Sequence, residues 1–349
     1  MQLDRNRSAS VTRGLCSLAA LAGVATLAAT LGACAREDVD AQQQHNAATT
    51  QKSQPQPQSQ PVDWKQVDQA MGRTGSVQPG GVYKYSIPRS DLHITLQGVA
   101  IKPALALGSW VAFKPGGNGA MAMGDLVLTE DEVNPVMLKL RDGGVGQTAV
   151  HNHLLNESPK VMYMHIMAQG DAIKIGSAIR AALALSKTPM QASATPSAGD
   201  QGDASGAGGS AKTAASIDID TATISRTLGH AGKVSSGVYQ VSVPRAETVH
   251  DGGMEVPPSM GVATGMNFQP TGGGKAAITG DFVLLASEVN PVIEALRSNG
   301  IQVEALHTHM LTEQPKLYFM HFWANDDAVK LARGLRAALD RMNTKKATS

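Results

Sequence analysis

The sequence predicts an α+β protein of two tandem homologous domains, each a mainly antiparallel sheet with helices on one side. Three observations carry this prediction. One segment pattern occurs twice along the chain. Each copy alternates runs of β-forming residues with stretches of helical periodicity. The 349 residues also suffice for two cores of ordinary size.

The duplication is plainest at two polar stretches. His151, His153, Glu157, Pro159, Lys160, Met164 and His165 recur at the same spacing as His307, His309, Glu313, Pro315, Lys316, Met320 and His321. Six of the ten histidines lie in these two stretches, so they are not scattered surface residues. Gly81-Val82-Tyr83 matches Gly237-Val238-Tyr239, Pro88-Arg89 matches Pro244-Arg245, and Gly124-Asp125 matches Gly280-Asp281. Glu132-Val133-Asn134-Pro135-Val136 returns as Glu288-Val289-Asn290-Pro291-Val292. Two copies at so long a period mean a duplicated domain and exclude a solenoid.

The N-terminus reads as a targeting segment. Arg5, Arg7 and Arg13 precede an apolar run from Leu15 to Leu31, and Leu31-Gly32-Ala33-Cys34 follows. That last stretch resembles the bacterial lipobox, which predicts a signal peptide over 1–33 and a lipidated Cys34. Residues 34–61 are polar and Gln-rich, the composition of a tether. Ala35 follows the cysteine, so the aspartate that retains lipoproteins in the inner membrane is absent. The expected location is the bacterial cell envelope, lipid-anchored, at the outer membrane facing the periplasm in a Gram-negative cell. Cys16 and Cys34 are the sole cysteines, so the mature domains have no disulfide and no thiolate ligand. A net charge of +1 gives no reason to expect nucleic acid as a partner.

Within the first domain, 62–187, a helix is expected at Trp64–Met71, ending at Gly72. Strands follow at Gly81 to Pro88, His93 to Val99, Ser109 to Phe113 and Ala120 to Leu128. Thr129-Glu130-Asp131-Glu132 has capping-box spacing, and Asn134-Pro135 is a second good helix start. That helix should end at Gly143-Gly144. A strand through His151 to Leu155, a turn at Asn156 to Pro159 and a strand from Lys160 to Met167 come next. A last helix is capped by Asp171. The resulting β-α-β-β-α half is compatible with a ferredoxin-like layer. A Ser/Gly/Ala linker, 188–216, leads to the second domain, 217–345, which repeats the pattern. Thr271-Gly272-Gly273-Gly274-Lys275-Ala276 lacks the leading glycine and the hydroxyl of a phosphate loop, and is read as a hairpin turn.

The lipobox, the tandem arrangement, the E-V-N-P-V helix start and the H-x-H…E…P-K…H stretch together resemble the LppY/LpqO family of bacterial lipoproteins, over residues 62–345. The resemblance implies an envelope location and supplies no catalytic residues. The H-x-H followed by a glutamate is also similar to part of the cupin pattern, but its glycine framing is missing and a predicted helix interrupts the strands.

In a strand, residues i and i+2 share a face, with backbones about 7 Å apart. His151 with His153, and His307 with His309, would therefore present paired imidazoles able to converge on Zn, Mn, Fe or Cu. Glu157 or His165 completes the first site, and Glu313 or His321 the second; if His165 faces away, Glu157 or a carboxylate from elsewhere, Asp125 or Glu132, must do so. Strand parity decides between them. If Leu155 pairs with Lys160 around a four-residue loop, His165 faces away from His151. A bulge or a five-residue loop brings it back. Arg89 and Arg245 have the chemistry to bind an anion or carboxylate and are read rather as ion-pair partners of Asp125 and Asp281, and those aspartates as turn residues or as orienters of a ligand histidine.

Three functions fit. The first is an envelope lipoprotein whose two His-rich hairpin sites bind a transition metal or small ligand, with the membrane as partner through Cys34. The second is a metal-dependent hydrolase or oxidoreductase in which Glu157 or Glu313 is the base on a bound water. The third is a structural or interaction module with hydrogen-bonded histidines. An enzyme needs an open coordination position beside a concave pocket, whereas a structural metal site is closed.

Overall fold

The computed structural model describes residues 62–117, 119–190 and 217–346. The targeting segment, Cys34, the tether and most of the linker lie outside the described residues. In the first repeat, α1 (Trp64–Met71) precedes β1 (Ser76–Gln78) and β2 (Val82–Pro88). An arm follows, made of β3 (Thr95–Leu96), β4 (Val99–Ala100) and the short α2 (Pro103–Ala106). Then come β5 (Gly108–Gly116), β6 (Gly119–Thr129), α3 (Glu130–Asp142), β7 (Gly146–His151), β8 (Val161–Gly170) and α4 (Ala172–Leu183).

The second repeat has α5 (Thr221–Leu228), β9 (Gly232–Ser235) and β10 (Val238–Pro244). Its arm is β11 (Val249–Asp251), β12 (Met254–Val256) and a 3-10 turn. The rest is β13 (Ala263–Gly272), β14 (Lys275–Leu284), α6 (Ala286–Ser298), β15 (Gln302–His307), β16 (Tyr318–Asp327) and α7 (Ala328–Leu339). β13 and β14 meet in the expected glycine hairpin.

Each repeat folds one six-stranded antiparallel sheet, in the order β1-β2-β5-β6-β8-β7 and, reversed, β15-β16-β14-β13-β10-β9. β8 lies between β6 and β7 and pairs antiparallel with both, so β6 and β7 run parallel. This is the split β-α-β arrangement of a ferredoxin-like layer, with β5 on the far side of β6.

Local chemistry sets the boundaries. Asp63 accepts from the Lys65 backbone N–H, and Gly72, at φ 70°, ends α1. Of the two candidate starts for α3, Thr129 is used, because Glu132 Oε2 accepts its N–H at 2.9 Å. Asn134-Pro135 falls inside the helix. The segment expected as one strand, His93 to Val99, is instead the tight hairpin β3–β4. Gln97 and Gly98 both take positive φ and reverse the chain there.

Arg89 and Arg245 do not pair with Asp125 and Asp281. The Arg89 guanidinium donates to Glu132 Oε2 at 2.7 Å, to the Val127 carbonyl at 2.6 Å and to both Asp91 oxygens. Arg245 repeats this with Glu288, Val283 and Glu247. The arginine of each copy thus ties the end of one strand to the first turn of α3 or α6. Its buried charge is matched there, while the aspartates are left on another face.

One face of each sheet packs on its own helices. Tyr85, Phe113, Leu126, Met164 and Ile179 lie in the first of these cores, and Val241, Phe268, Phe282, Phe322 and Leu335 in the second. The other faces turn toward each other, and both repeats fall within one compact unit. One core between them joins Met121 and Met123 to Val256, Met260 and Phe319; another joins Ile94, Leu105 and Tyr163 to Val238 and Trp323. The arms are exchanged. The Gln269 side chain accepts from Lys102 N at 2.9 Å and donates to Ala100 O at 2.8 Å, and Lys114 Nζ reaches Glu255 O at 2.7 Å. The result is four layers, with helices outside and two sheets inside.

Candidate metal centre

The histidines sit on the facing inner sides of the two sheets. β7 ends at His151, which pairs with Tyr163, while Ala149 pairs with His165. A bulge between Gln147 and Ala149 shifts the pairing only beyond these residues. His151 and His165 therefore share a face, and β15 and β16 do the same for His307 and His321. The expected strand over His151 to Leu155 is not formed beyond His151, and the loop to β8 runs over residues 152–160. Leu154 is drawn into the core between the repeats, and Ser158 makes an antiparallel bridge to Thr95 of the arm. His153 and His309 thus reach the face from loops, not by strand alternation.

The two stretches do not make two separate sites. The rings of His151 and His307 stack at 3.6 Å between centroids, His153 on His321 at 3.7 Å, and His165 on His309 at 3.6 Å. Each contact is the reciprocal of another, or of itself, which places a pseudo-two-fold axis between His151 and His307. Within the first repeat, His151 lies 5.1 Å from His153 and 5.0 Å from His165, with planes 22° and 10° apart. Within the second, His307 lies 4.9 Å from both His309 and His321. Two sets of three imidazoles therefore lie one on the other.

Asp125 pairs with His165 across β6 and β8, and Asp281 with His321 across β14 and β16. Asp125 oxygens lie 3.8 Å from His153 Nε2 and 3.7 Å from His165 Nε2. Asp281 Oδ2 lies 3.8 Å from His309 Nε2. These separations are too long for hydrogen bonds. Sequence reasoning left these aspartates as turn residues or as orienters of a ligand histidine. The available signal was an Asp flanked by apolar strand residues in both copies, a buried carboxylate that needs a partner.

Glu157 and Glu313 are not at the centre. Glu157 Oε1 accepts from Val161 N at 3.3 Å, and Glu313 Oε1 from Leu317 N at 3.0 Å, so each caps the start of its following strand. Glu313 also pairs with Lys316. The carboxylates beside the imidazoles are the aspartates. They occupy the middle of a strand, whereas the glutamates belong to a loop that folds back on itself.

The Nε2 atoms of all six imidazoles, with Asp125 Oδ1 and Asp281 Oδ1, are buried and have no hydrogen-bond partner. His321 donates through Nδ1 to Gly280 O at 2.9 Å, which leaves its Nε2 as a lone pair. Burial pulls His151 down to about 4 despite the Asn152 carbonyl, and pulls His307 to about 3 with His151 adding to the effect. His153, His165, His309 and His321 are held well below the ordinary imidazole value, first by burial and then by one another. All six are neutral at pH 7, the form that ligates metal. Burial raises Asp125 to about 7, with Lys84 opposing, and raises Asp281 well above the usual carboxylate range, with Asp125 contributing.

Among the described residues, three groups have ligand atoms within 4.8 Å of one another: His151, His153 and His165; His151, His307 and His309; and Asp281, His309 and His321. Each has a ligand set and spacing that could hold an ion, and the second draws on both repeats. A cleft of ≈ 920 Å³ opens onto Asp125, Asp281, His153, His165, His309 and His321. A second cavity of ≈ 940 Å³ lies under the first arm, beside His93 and Gln97, and meets none of the six.

No curated protein matches the chain. The crystal structure of a trimeric bacterial microcompartment shell protein, PduB, is similar at 13% identity over 76% of this chain and 88% of that one, with a TM-score of 0.17, which carries no argument. A family model described as Domain of Unknown Function (DUF1259) matches residues 65–185 and again 222–341. The matched segments follow the two repeats, and the chain belongs to that family.

Proposed function

We propose that this protein is an envelope lipoprotein with one transition-metal centre shared by its two repeats. His151, His153, His165, His307, His309 and His321 are the ligands, with Asp125 and Asp281 beside them. The observation that carries this reading is the set of six buried, unpartnered Nε2 atoms. Leaving a buried polar atom unpaired costs on the order of 1–3 kcal/mol. Six together rival the net stability of a whole domain, about 5–15 kcal/mol. A bound cation removes that penalty, and hydrogen bonding within the cluster does not. An all-nitrogen set with flanking carboxylates suits Zn, Cu or Fe better than Mn. The anchor reading rests on Cys34 and its surroundings, and the resemblance to LppY/LpqO lipoproteins supports it. Among the described residues no helix is long and apolar enough to cross a membrane.

The cleft favours a centre that meets a ligand over a closed structural one. This supports the second reading, a metal-dependent enzyme, with the base role moved from Glu157 and Glu313 to an aspartate.

Elemental analysis of the full chain, purified without affinity tag or chelator, tests the proposal. Near-stoichiometric metal is expected. It should be lost both from His151→Ala/His153→Ala and from His307→Ala/His309→Ala. Loss of half the metal from each would instead mean two independent sites. Absence of metal after reconstitution with Zn, Mn, Fe and Cu ends the reading.

A further inference from the structure

The two halves of the centre differ in how they meet the cleft. Asp125 stands opposite Trp110 on the neighbouring strand, and Asp281 opposite Gly265. The indole of Trp110 lies on the second repeat's arm, where a Cβ added at Gly261 would come within 2.9 Å of it. A Cβ added at Gly265 meets nothing within 4 Å. The Asp281 side chain is accordingly 22% exposed against 9% for Asp125. Open space thus lies over the second repeat's half.

The charge of the cleft is also one-sided. Its lining carries Arg73, Lys84, Lys102 and Lys233, and its acids are Asp125 and Asp281 alone. Lys84 Nζ contacts Ser259 O and the Trp110 ring, and Lys102 Nζ contacts Gly237 O. Nη1 of Arg73 is buried in the wall without a hydrogen-bond partner. A guanidinium so placed suits a planar or tetrahedral oxyanion.

We infer that the cleft binds a small oxyanion, a carboxylate or phosphate, which enters over Gly265, reaches the Asp281 half of the centre and is held at its outer end by Arg73. This rests on the metal reading for its inner contact and on Arg73 for its outer one. Trp110 narrows the cleft over the Asp125 half, so the two halves of the pseudo-symmetric centre meet it unequally.

The test uses the full chain loaded with Co(II) and titrated with inorganic phosphate. The visible spectrum reports on the ion, and calorimetry reports on binding. Phosphate is expected to change the cobalt spectrum of the wild type. Gly265→Trp should weaken binding by about tenfold or more with cobalt content unchanged. Arg73→Gln should weaken it by about tenfold, the loss of one charge-assisted pair. Trp110→Gly should leave it intact. Full cobalt loading with no response to phosphate overturns the inference, as does tight binding that ignores Gly265→Trp and Arg73→Gln. If cobalt does not load, the metal reading fails by itself. Arg73-dependent phosphate binding in the metal-free protein then keeps the outer contact, and its absence removes that too.

Discussion

The two repeats present the same six ligand-capable rings in surroundings that have drifted apart. In the first, His153 lies against Tyr163, Asp125 stands opposite Trp110 on the next strand, and Glu157 has a buried oxygen without a partner. In the second, His309 lies against Phe319, Asp281 faces Gly265, and Glu313 is paired with Lys316. Glu304 of the second repeat reaches into the first repeat's loop and accepts from Leu155 N, where the first repeat's own sequence offers no equivalent acid. The constraint on this fold is therefore narrow. It keeps the rings, the two aspartates and the arginine frame, and releases what covers them.

The frame should give the largest and most equal effects. Arg89→Ala leaves Glu132 charged and buried, and Arg245→Ala does the same to Glu288. Each should cost about 3–5 kcal/mol in denaturant unfolding. A difference between them above about 1 kcal/mol would break the equivalence of the two halves.

The loop glutamates should separate the halves. Burial first, with Glu304 adding and the Val161 N–H opposing, raises Glu157 from 4.5 to about 7. The folded protein therefore holds a proton that the unfolded chain releases. Stability contributed by this group is full below about 4.5 and declines as pH rises to about 7, by up to about 3 kcal/mol. Glu157→Gln should flatten that decline and stabilise the protein at pH 8. Glu313→Gln loses its pair with Lys316 and should not stabilise. Thermal melts of both variants across pH 5 to 8, expressed as stability differences, check this, and equal behaviour would erase the contrast.

The smallest expected effect is at the ring partners. Tyr163 donates to Ala106 O at 3.0 Å, which ties the first repeat's arm to its own sheet. Tyr163→Phe makes the first half resemble the second and should cost about 1 kcal/mol. Metal content should not change, and a loss of metal would show that the hydroxyl orients His153.

Much of this was legible in the sequence. The duplication exposed all six histidines, because ligand-capable residues kept their spacing while the residues between them changed. Helix ends were legible at Gly72, Thr129 and Asp171, where one side chain or one φ decides the boundary. The joining of two sites into one was not legible. The inner face of the first sheet carries Lys84, Ser86 and Asp125 beside its apolar residues, and that of the second carries Gln240, Ser242 and Asp281, a pattern that also fits a face exposed to water. Asp125 and Asp281 were legible only in part, as turn residues or orienters of a histidine, because the loop histidines His153 and His309 that come beside them reach the site from outside any strand pairing. The parity question at His165 turned on the length of the connection between the paired residues His151 and Tyr163, and its irregular loop carries no turn signal that sets that length.

The reciprocal stacking of the rings has a consequence for how such a centre can be tuned. A single repeat closing on an identical subunit would form the same six-ring cluster as a homodimer. Every substitution would then appear on both sides of the axis at once: a tryptophan over one aspartate would be a tryptophan over both. Joining the copies in one polypeptide breaks that symmetry, so one side can be sealed while the other stays accessible. The duplication thus uncouples holding the centre together from admitting what it meets.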